Sequence, residues 1–214
     1  MDRNSKEYFD LVSDVHKYPN LNIQWKSDKL YVIGNYQFSR EYKQLVCSDE
    51  FLLEIEIPSD FSNTLPTVNE VGNKIPRDYH KNSSTSLCLG TNIELYEIFR
   101  KEKTFSGFME YIVNPYLYRW CYISKFNKAP WNDRAHGCQG IIDSYADFLS
   151  IPNDKKIISD FLFILSSGNA RLNKFCPCGS GKKTKLCHMH GLNKLIHDYP
   201  LSIFQKDYEN VRFL

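Results

Sequence analysis

Two groups of residues in this chain are of types that do chemistry. The first is a single cysteine, Cys88, set between two leucines in the segment IPRDYHKNSSTSLCLG (75–90), eight residues after His80 and six after Asn82. A thiol with an ordinary pKa near ~8.5 is partly thiolate at neutral pH and strongly nucleophilic, so it can take an acyl group from a thioester without a dedicated base. When the acyl group moves on to an amine, a nearby amide such as Asn82 can donate to the tetrahedral oxyanion, and His80 can hold the loop by hydrogen bonding. A cysteine between leucines is also what a small buried hydrophobe looks like. A His/Cys protease is the weaker alternative, because the sequence offers no clear third group to orient the pair.

The second group is FCPCGSGKKTKLCHMHG (175–191), with Cys176, Cys178, Cys187 and His188 as metal ligands on two short limbs. Four sulfur and nitrogen donors suit one tetrahedral zinc, and a closed set of four protein ligands leaves no position for substrate, which makes the metal structural. The intervening glycines permit the tight turn. His190, two residues beyond His188, is the alternative fourth ligand. Lys174, Lys182, Lys183 and Lys185 make this segment basic, which favours docking to an acidic protein surface over contact with nucleic acid. No aromatic-rich stacking platform accompanies the lysines.

The rest of the chain must position these groups. Its 214 residues allow one ordinary domain plus an appendage, or two small domains. With 42% hydrophobic and 24% charged residues it reads as globular rather than disordered. No run approaches the roughly 18 apolar residues of a membrane span, and the opening MDRNSKEYFD does not resemble a leader, so a cytoplasmic location without membrane association is expected. Seven cysteines, an odd and scattered number, argue against a disulfide framework; Cys47 and Cys121 read as packing residues. Net charge is +2, yet residues 151–214 hold 10 Lys and Arg against 5 Asp and Glu, while residues 1–150 hold 17 against 20.

Tyr8, Phe9, Val12 and Val15 predict an opening helix. Alternation around 21–25, 30–38 and 53–57 predicts three strands of an antiparallel meander with one wet face. A long loop rich in Pro, Asn, Ser and Gly then leads to Cys88, and a loop of that length is usually functional. Helical spacing returns at Phe105–Val113, with a break expected at Asn114-Pro115, where Asn can cap and Pro can start a new helix. Further helices are expected over Gln139–Leu149 and from a cap at Asn153 to Ser167, with Gly168 as the stop. The fold class is α+β: an antiparallel meander sheet with N-terminal and C-terminal helices, plus a small C-terminal knuckle.

This order of elements resembles that of ubiquitin-conjugating enzymes, and the residues add to the likeness. Ile57, Pro58, Asp60, Phe61 and Pro66 resemble that family's third strand and the proline-punctuated segment after it, where the later proline precedes a short apolar strand. YHKNSSTSLCLG resembles its His-Pro-Asn motif and active-site cysteine, at His80, Asn82, Leu87, Cys88 and Leu89. Lys81 stands where the motif has proline, and Asn82 lies two residues nearer to the cysteine than in the usual eukaryotic spacing. The resemblance covers roughly residues 4–100 and is nearest in flavour to the bacterial members, several of which accompany antiphage defence systems. The terminal segment resembles the SEC-C motif, a zinc knuckle found at the C-terminus of the SecA translocase and of many other bacterial proteins.

These resemblances imply a conjugating domain at 1–150, a connecting helix at 151–170, a zinc knuckle at 171–192 and a tail at 193–214. They imply catalytic residues Cys88, His80 and Asn82, with a ubiquitin-like or other glycine-ended protein, an activating enzyme and a target protein as partners. The competing reading is a binding module or scaffold of the same fold whose cysteine is idle and whose knuckle docks a protein or nucleic acid.

Overall fold

Side-chain alternation and capping build a mixed α plus β chain, seen in a computed structural model that describes residues 1–61, 63–82, 84–169 and 173–213. In chain order the elements are α1 (Lys6–Val15), β1 (Leu21–Lys26), β2 (Lys29–Tyr42), β3 (Leu45–Ile57), β4 (Thr67–Glu70), α2 (Asn92–Phe99), α3 (Phe105–Phe108), a π-helical turn (Met109–Val113), α4 (Asn114–Phe126), α5 (Gly137–Leu149), α6 (Lys155–Ser166), a 3-10 turn (Thr184–Leu186), α7 (Met189–Asp198) and α8 (Leu201–Arg212). The chain divides into two compact units, residues 1–90 with 97–132, and residues 91–96 with 133–214. The expected junction at 170 and 171 lies outside the described residues. Among the described residues no helix is long and apolar enough to cross a membrane.

The first unit is built on a four-stranded antiparallel meander in the order β1-β2-β3-β4. Along β3, Phe51, Leu53, Ile55 and Ile57 are buried while the residues between them are exposed or half-buried. Facing positions on β2 match them, with Val32 opposite Ile55 and Tyr36 opposite Phe51. A one-residue slip would turn this whole set to water, so the core sets the register; each such side chain fully buried stabilises by about 1.5–3 kcal/mol. Both hairpins turn through two residues with positive φ, Ser27-Asp28 and Lys43-Gln44, the backbone twist that two-residue hairpins prefer. Gly34 is required at its place, since a Cβ there would lie 1.9 Å from the Asn20 carbonyl oxygen.

At Asn114-Pro115 the expected break does not occur. The chain runs from α3 through the π-helical turn directly into α4, with Pro115 in its first turn, where its missing N–H is absorbed. Asn114 is no cap: its oxygen accepts from the Tyr36 hydroxyl at 2.7 Å and its amide donates to Glu110 at 2.8 Å, tying the helix to β2. The start of α3 is held to α1 by Asp14, whose carboxylate accepts from the Ser106 amide and hydroxyl, each at 2.6 Å.

The second unit is helical. Its α6 begins one residue later than expected: the Asp154 carboxylate, not Asn153, accepts from Ile157 N at 2.9 Å, and Asn153 donates to Asp143 instead. Gly168, with φ near +64°, follows the end of the helix. Helix α8 packs along α6 and α5, and Phe161, Leu162, Leu165, Phe204 and Val211 are wholly buried.

Candidate functional site

The cysteine loop folds as a small antiparallel ribbon. Lys81 pairs with Leu87, and the bonds on either side run from Asn82 N to Ser86 O (2.8 Å) and from Cys88 N to His80 O (2.7 Å). This register sets His80 opposite Cys88 and Asn82 opposite Ser86. Leu87 is buried and its amide donates to Val68 O at 2.8 Å, so the ribbon is anchored on β4. Lys81, in place of a proline, reaches back to donate to Ile75 O at 2.8 Å. Cys88 is half-buried. Thus His80, Asn82 and Cys88 are brought into one structure by backbone pairing.

Asn82 is engaged within the loop. Its Nδ2 donates to Ser86 Oγ at 2.9 Å and, more weakly, to Leu87 O at 3.4 Å. His80 carries a left-handed backbone, φ near +38°, which an L side chain adopts at a cost. Beside the ribbon opens a cleft of about 690 Å³, lined in part by Asn69, Glu70, Arg77, Lys81, Ser84 and Thr85.

Three further residues in this neighbourhood escaped the sequence reading. The Tyr116 hydroxyl, from α4, donates to the carbonyls of His80 (3.2 Å) and Tyr79 (3.3 Å). Arg119, one turn on, places Nη1 3.1 Å from His80 Nε2 and 3.2 Å from the Tyr79 hydroxyl. The Tyr79 ring packs against His80, Tyr116 and Trp120. Burial first, then the neighbouring Tyr79 and Cys88, push the Tyr116 phenol well above its ordinary range, so it stays protonated and a donor. The only advance signal was the three-residue spacing of Tyr116 and Arg119, which puts both on one helix face. Cys47 and Cys121 are buried as expected, and burial pushes the Cys121 thiol up to about 12.

In the second unit Cys176, Cys178, Cys187 and His188 converge, their ligand atoms all within 4.8 Å of one another, and could hold a metal ion. Cys176 Sγ and Cys187 Sγ each lie 3.2 Å from His188 Nδ1, and Cys178 Sγ lies 3.5 Å from Cys187 Sγ. Those separations are slightly shorter than the ~3.5–3.8 Å edges of a tetrahedron around zinc with ~2.0–2.3 Å bonds. His188, not the exposed His190, belongs to the cluster. The two limbs pair through Phe175 and Lys183, with Cys176 N donating to Lys182 O at 2.8 Å. Gly179 and Gly181, at φ near +78° and +71°, make the turn between them.

The donors differ in readiness. Burial pushes the Cys176 thiol up to about 12. Burial opposes the Cys178 thiolate too, but the hydroxyl and amide of Ser180 and the two neighbouring thiols bring Cys178 down to about 7. Burial lowers His188, which favours the neutral, ligating imidazole. Its ring is backed by Phe161 of α6 at 5.3 Å.

Comparison of the chain with family models, curated proteins and solved structures found no match.

Proposed function

We propose that the chain is an acyl carrier of the ubiquitin-conjugating type, working through Cys88, with a structural zinc held by Cys176, Cys178, Cys187 and His188. The observation that carries this reading is the ribbon: it brings His80 and Asn82 alongside a half-buried Cys88 whose amide is fixed by a 2.7 Å bond. The resemblance of this loop, and of the four-stranded meander before it, to the conjugating enzymes supports the same reading.

In the loading step the Cys88 thiolate attacks the carbonyl carbon of a donor thioester, and the donor's thiolate leaves. In the transfer step an amine nitrogen attacks the same carbonyl. The C–S bond to Cys88 then breaks, Cys88 departs as thiolate, and the amine's extra proton passes to solvent. Asn82 would serve the oxyanion by surrendering its long 3.4 Å donation to Leu87 O while keeping the shorter bond to Ser86. The zinc would stay outside the reaction, since four protein donors fill its shell.

A second reading rests on the knuckle. Phe175 and Leu186 are exposed beside Lys174, Lys182, Lys183 and Lys185, a surface suited to docking an acidic partner in a scaffold whose cysteine is idle. Intact mass after co-expression with the genes that flank this one separates the two. The carrier reading expects a protein-sized adduct, removed by a reducing thiol and retained as a stabler ester by C88S. No adduct, beside a flanking activating enzyme that is itself charged, would leave the scaffold.

A further inference from the structure

The carbonyl of His80 is a shared acceptor. The Cys88 amide reaches it at 2.7 Å and the Tyr116 hydroxyl at 3.2 Å. The residue that offers this carbonyl holds a left-handed backbone, a conformation that persists only where its surroundings over-determine it. Its ring is held as well: Arg119 has five N–H donors and no acceptor, so the 3.1 Å contact from Nη1 requires His80 Nε2 to be the lone-pair nitrogen. A neutral imidazole with its proton on Nδ1 fits that contact. Tyr79 closes the arrangement, its hydroxyl accepting from Arg119 and its carbonyl from Tyr116.

We infer that α4 is the positioning element of the cysteine loop, with Tyr116 gripping the His80 carbonyl and Arg119 gripping the His80 ring, so that the strained residue opposite Cys88 cannot relax. Within the described loop the Cys88 amide shares the His80 carbonyl, Asn82 braces Ser86 and Leu87, and Lys81 braces Ile75; the Tyr116 hydroxyl and the Arg119 guanidinium add their contacts from α4. Tyr116 and Arg119 are positioning residues: they act on Cys88 through His80. The importance of this for acyl transfer rests on the carrier reading; the clamp itself does not.

The test reads the clamp without any acyl donor. In the wild-type protein with ¹⁵N-labelled histidine, His80 Nε2 should give the signal of an unprotonated ring nitrogen at pH 8; a protonated Nε2 there overturns the Arg119 grip. In Y116F, which keeps the ring and removes the hydroxyl, the Cys88 amide should exchange about tenfold faster while the amides of Val32 and Ile55 in the sheet are unchanged. Equal acceleration in both places, or none at Cys88, would show a general packing role and overturn the proposal. R119M, which keeps the aliphatic stem, should move proton density to His80 Nε2 and loosen the Cys88 amide likewise; an unchanged tautomer sinks it. Loading of Cys88 measured on the same variants separates the two ideas. A clamp that passes these tests on a protein that never loads would refute the carrier reading and leave the clamp standing.

Discussion

Asp207 and Asn92 are joined by a 2.7 Å hydrogen bond across 115 residues of chain. Asp207, on α8, is wholly buried, and its second oxygen accepts from the Tyr145 hydroxyl of α5 at 3.0 Å. Asn92 begins α2, four residues after Cys88 in sequence. The start of α2 is thus fastened to the C-terminal helix, within the second unit, through a buried carboxylate. Its companion is Thr91, whose hydroxyl meets Ser144 of α5 at 2.9 Å.

That carboxylate should give the protein a pH-dependent stability. Burial pushes Asp207 up to about 6, although the donations from Asn92 and Tyr145 oppose it. The folded value lies above the unfolded one near ~3.9, so this group's stabilising contribution is full below about pH 4 and is lost as pH rises through about 6. D207N keeps an oxygen for Asn92 and offers its NH₂ to the Tyr145 oxygen. In urea unfolding the variant should exceed the parent in stability at pH 8 by on the order of 1–2 kcal/mol and match it below pH 4. A D207N protein that is weaker at pH 8 would mean the ionised form is the better partner.

Asp14 behaves with the opposite sign. Burial alone would raise its carboxyl, but the Lys17 ammonium and the Ser106 hydroxyl and amide bring it below the ordinary carboxylate range. Its contribution is present above about pH 4 and is lost as pH falls through the depressed folded value. D14A leaves the Ser106 amide without its acceptor where α3 begins and should cost about 1–3 kcal/mol. Equilibrium unfolding at pH 7 measures the loss, and the gap between D14A and parent should close in acid.

Asn82 gives a kinetic prediction that rests on the carrier reading. Loading makes and breaks similar thioesters, whereas aminolysis passes through the oxyanion that Asn82 is proposed to meet. N82A should slow single-turnover discharge of the Cys88 thioester to an amine about 10²-fold and reduce loading by less than about tenfold. Equal loss in both steps would assign Asn82 to bracing the ribbon through Ser86 and nothing more.

The sheet was legible because one buried face writes itself as alternation, as at Phe51, Leu53, Ile55 and Ile57. The four-donor cluster was legible because local spacing alone brings Cys176, Cys178, Cys187 and His188 together. What escaped depends on distant chain. Tyr116 in an aromatic helix looks like any core residue until the His80 carbonyl is placed against it. Arg119 looks solvated until an imidazole arrives. The continuous helix at Pro115 was missed because Asn-Pro is equally good at starting a helix and at entering one through a π turn; Tyr36, 78 residues away, takes the Asn114 oxygen that a cap would have used. Nothing in the sequence around Asp207 marks it for burial against Asn92, 115 residues away.

The metal cluster yields the last prediction. So small a unit, two limbs joined by a glycine turn, has little apolar core of its own: Phe175 and Leu186 are both exposed, while Cys176 is among its few buried residues. Metal binding should therefore supply most of its folding free energy. Elemental analysis of the purified protein should find one zinc per chain, lost in H188A and C178S and retained in H190A, because His190 lies outside the cluster. Removing the metal with a chelator should abolish amide protection across 174–188 and leave the β2–β3 ladder of the first unit intact. Ligand exchange adds a sign in pH. Each thiol must give up its proton to bind, and Cys176, pushed up to about 12, is the most reluctant, so zinc affinity should fall as pH is lowered, with protons released on binding. Zinc retained in H188A and lost in H190A would move the fourth ligand to His190 and require the first turn of α7 to be rebuilt.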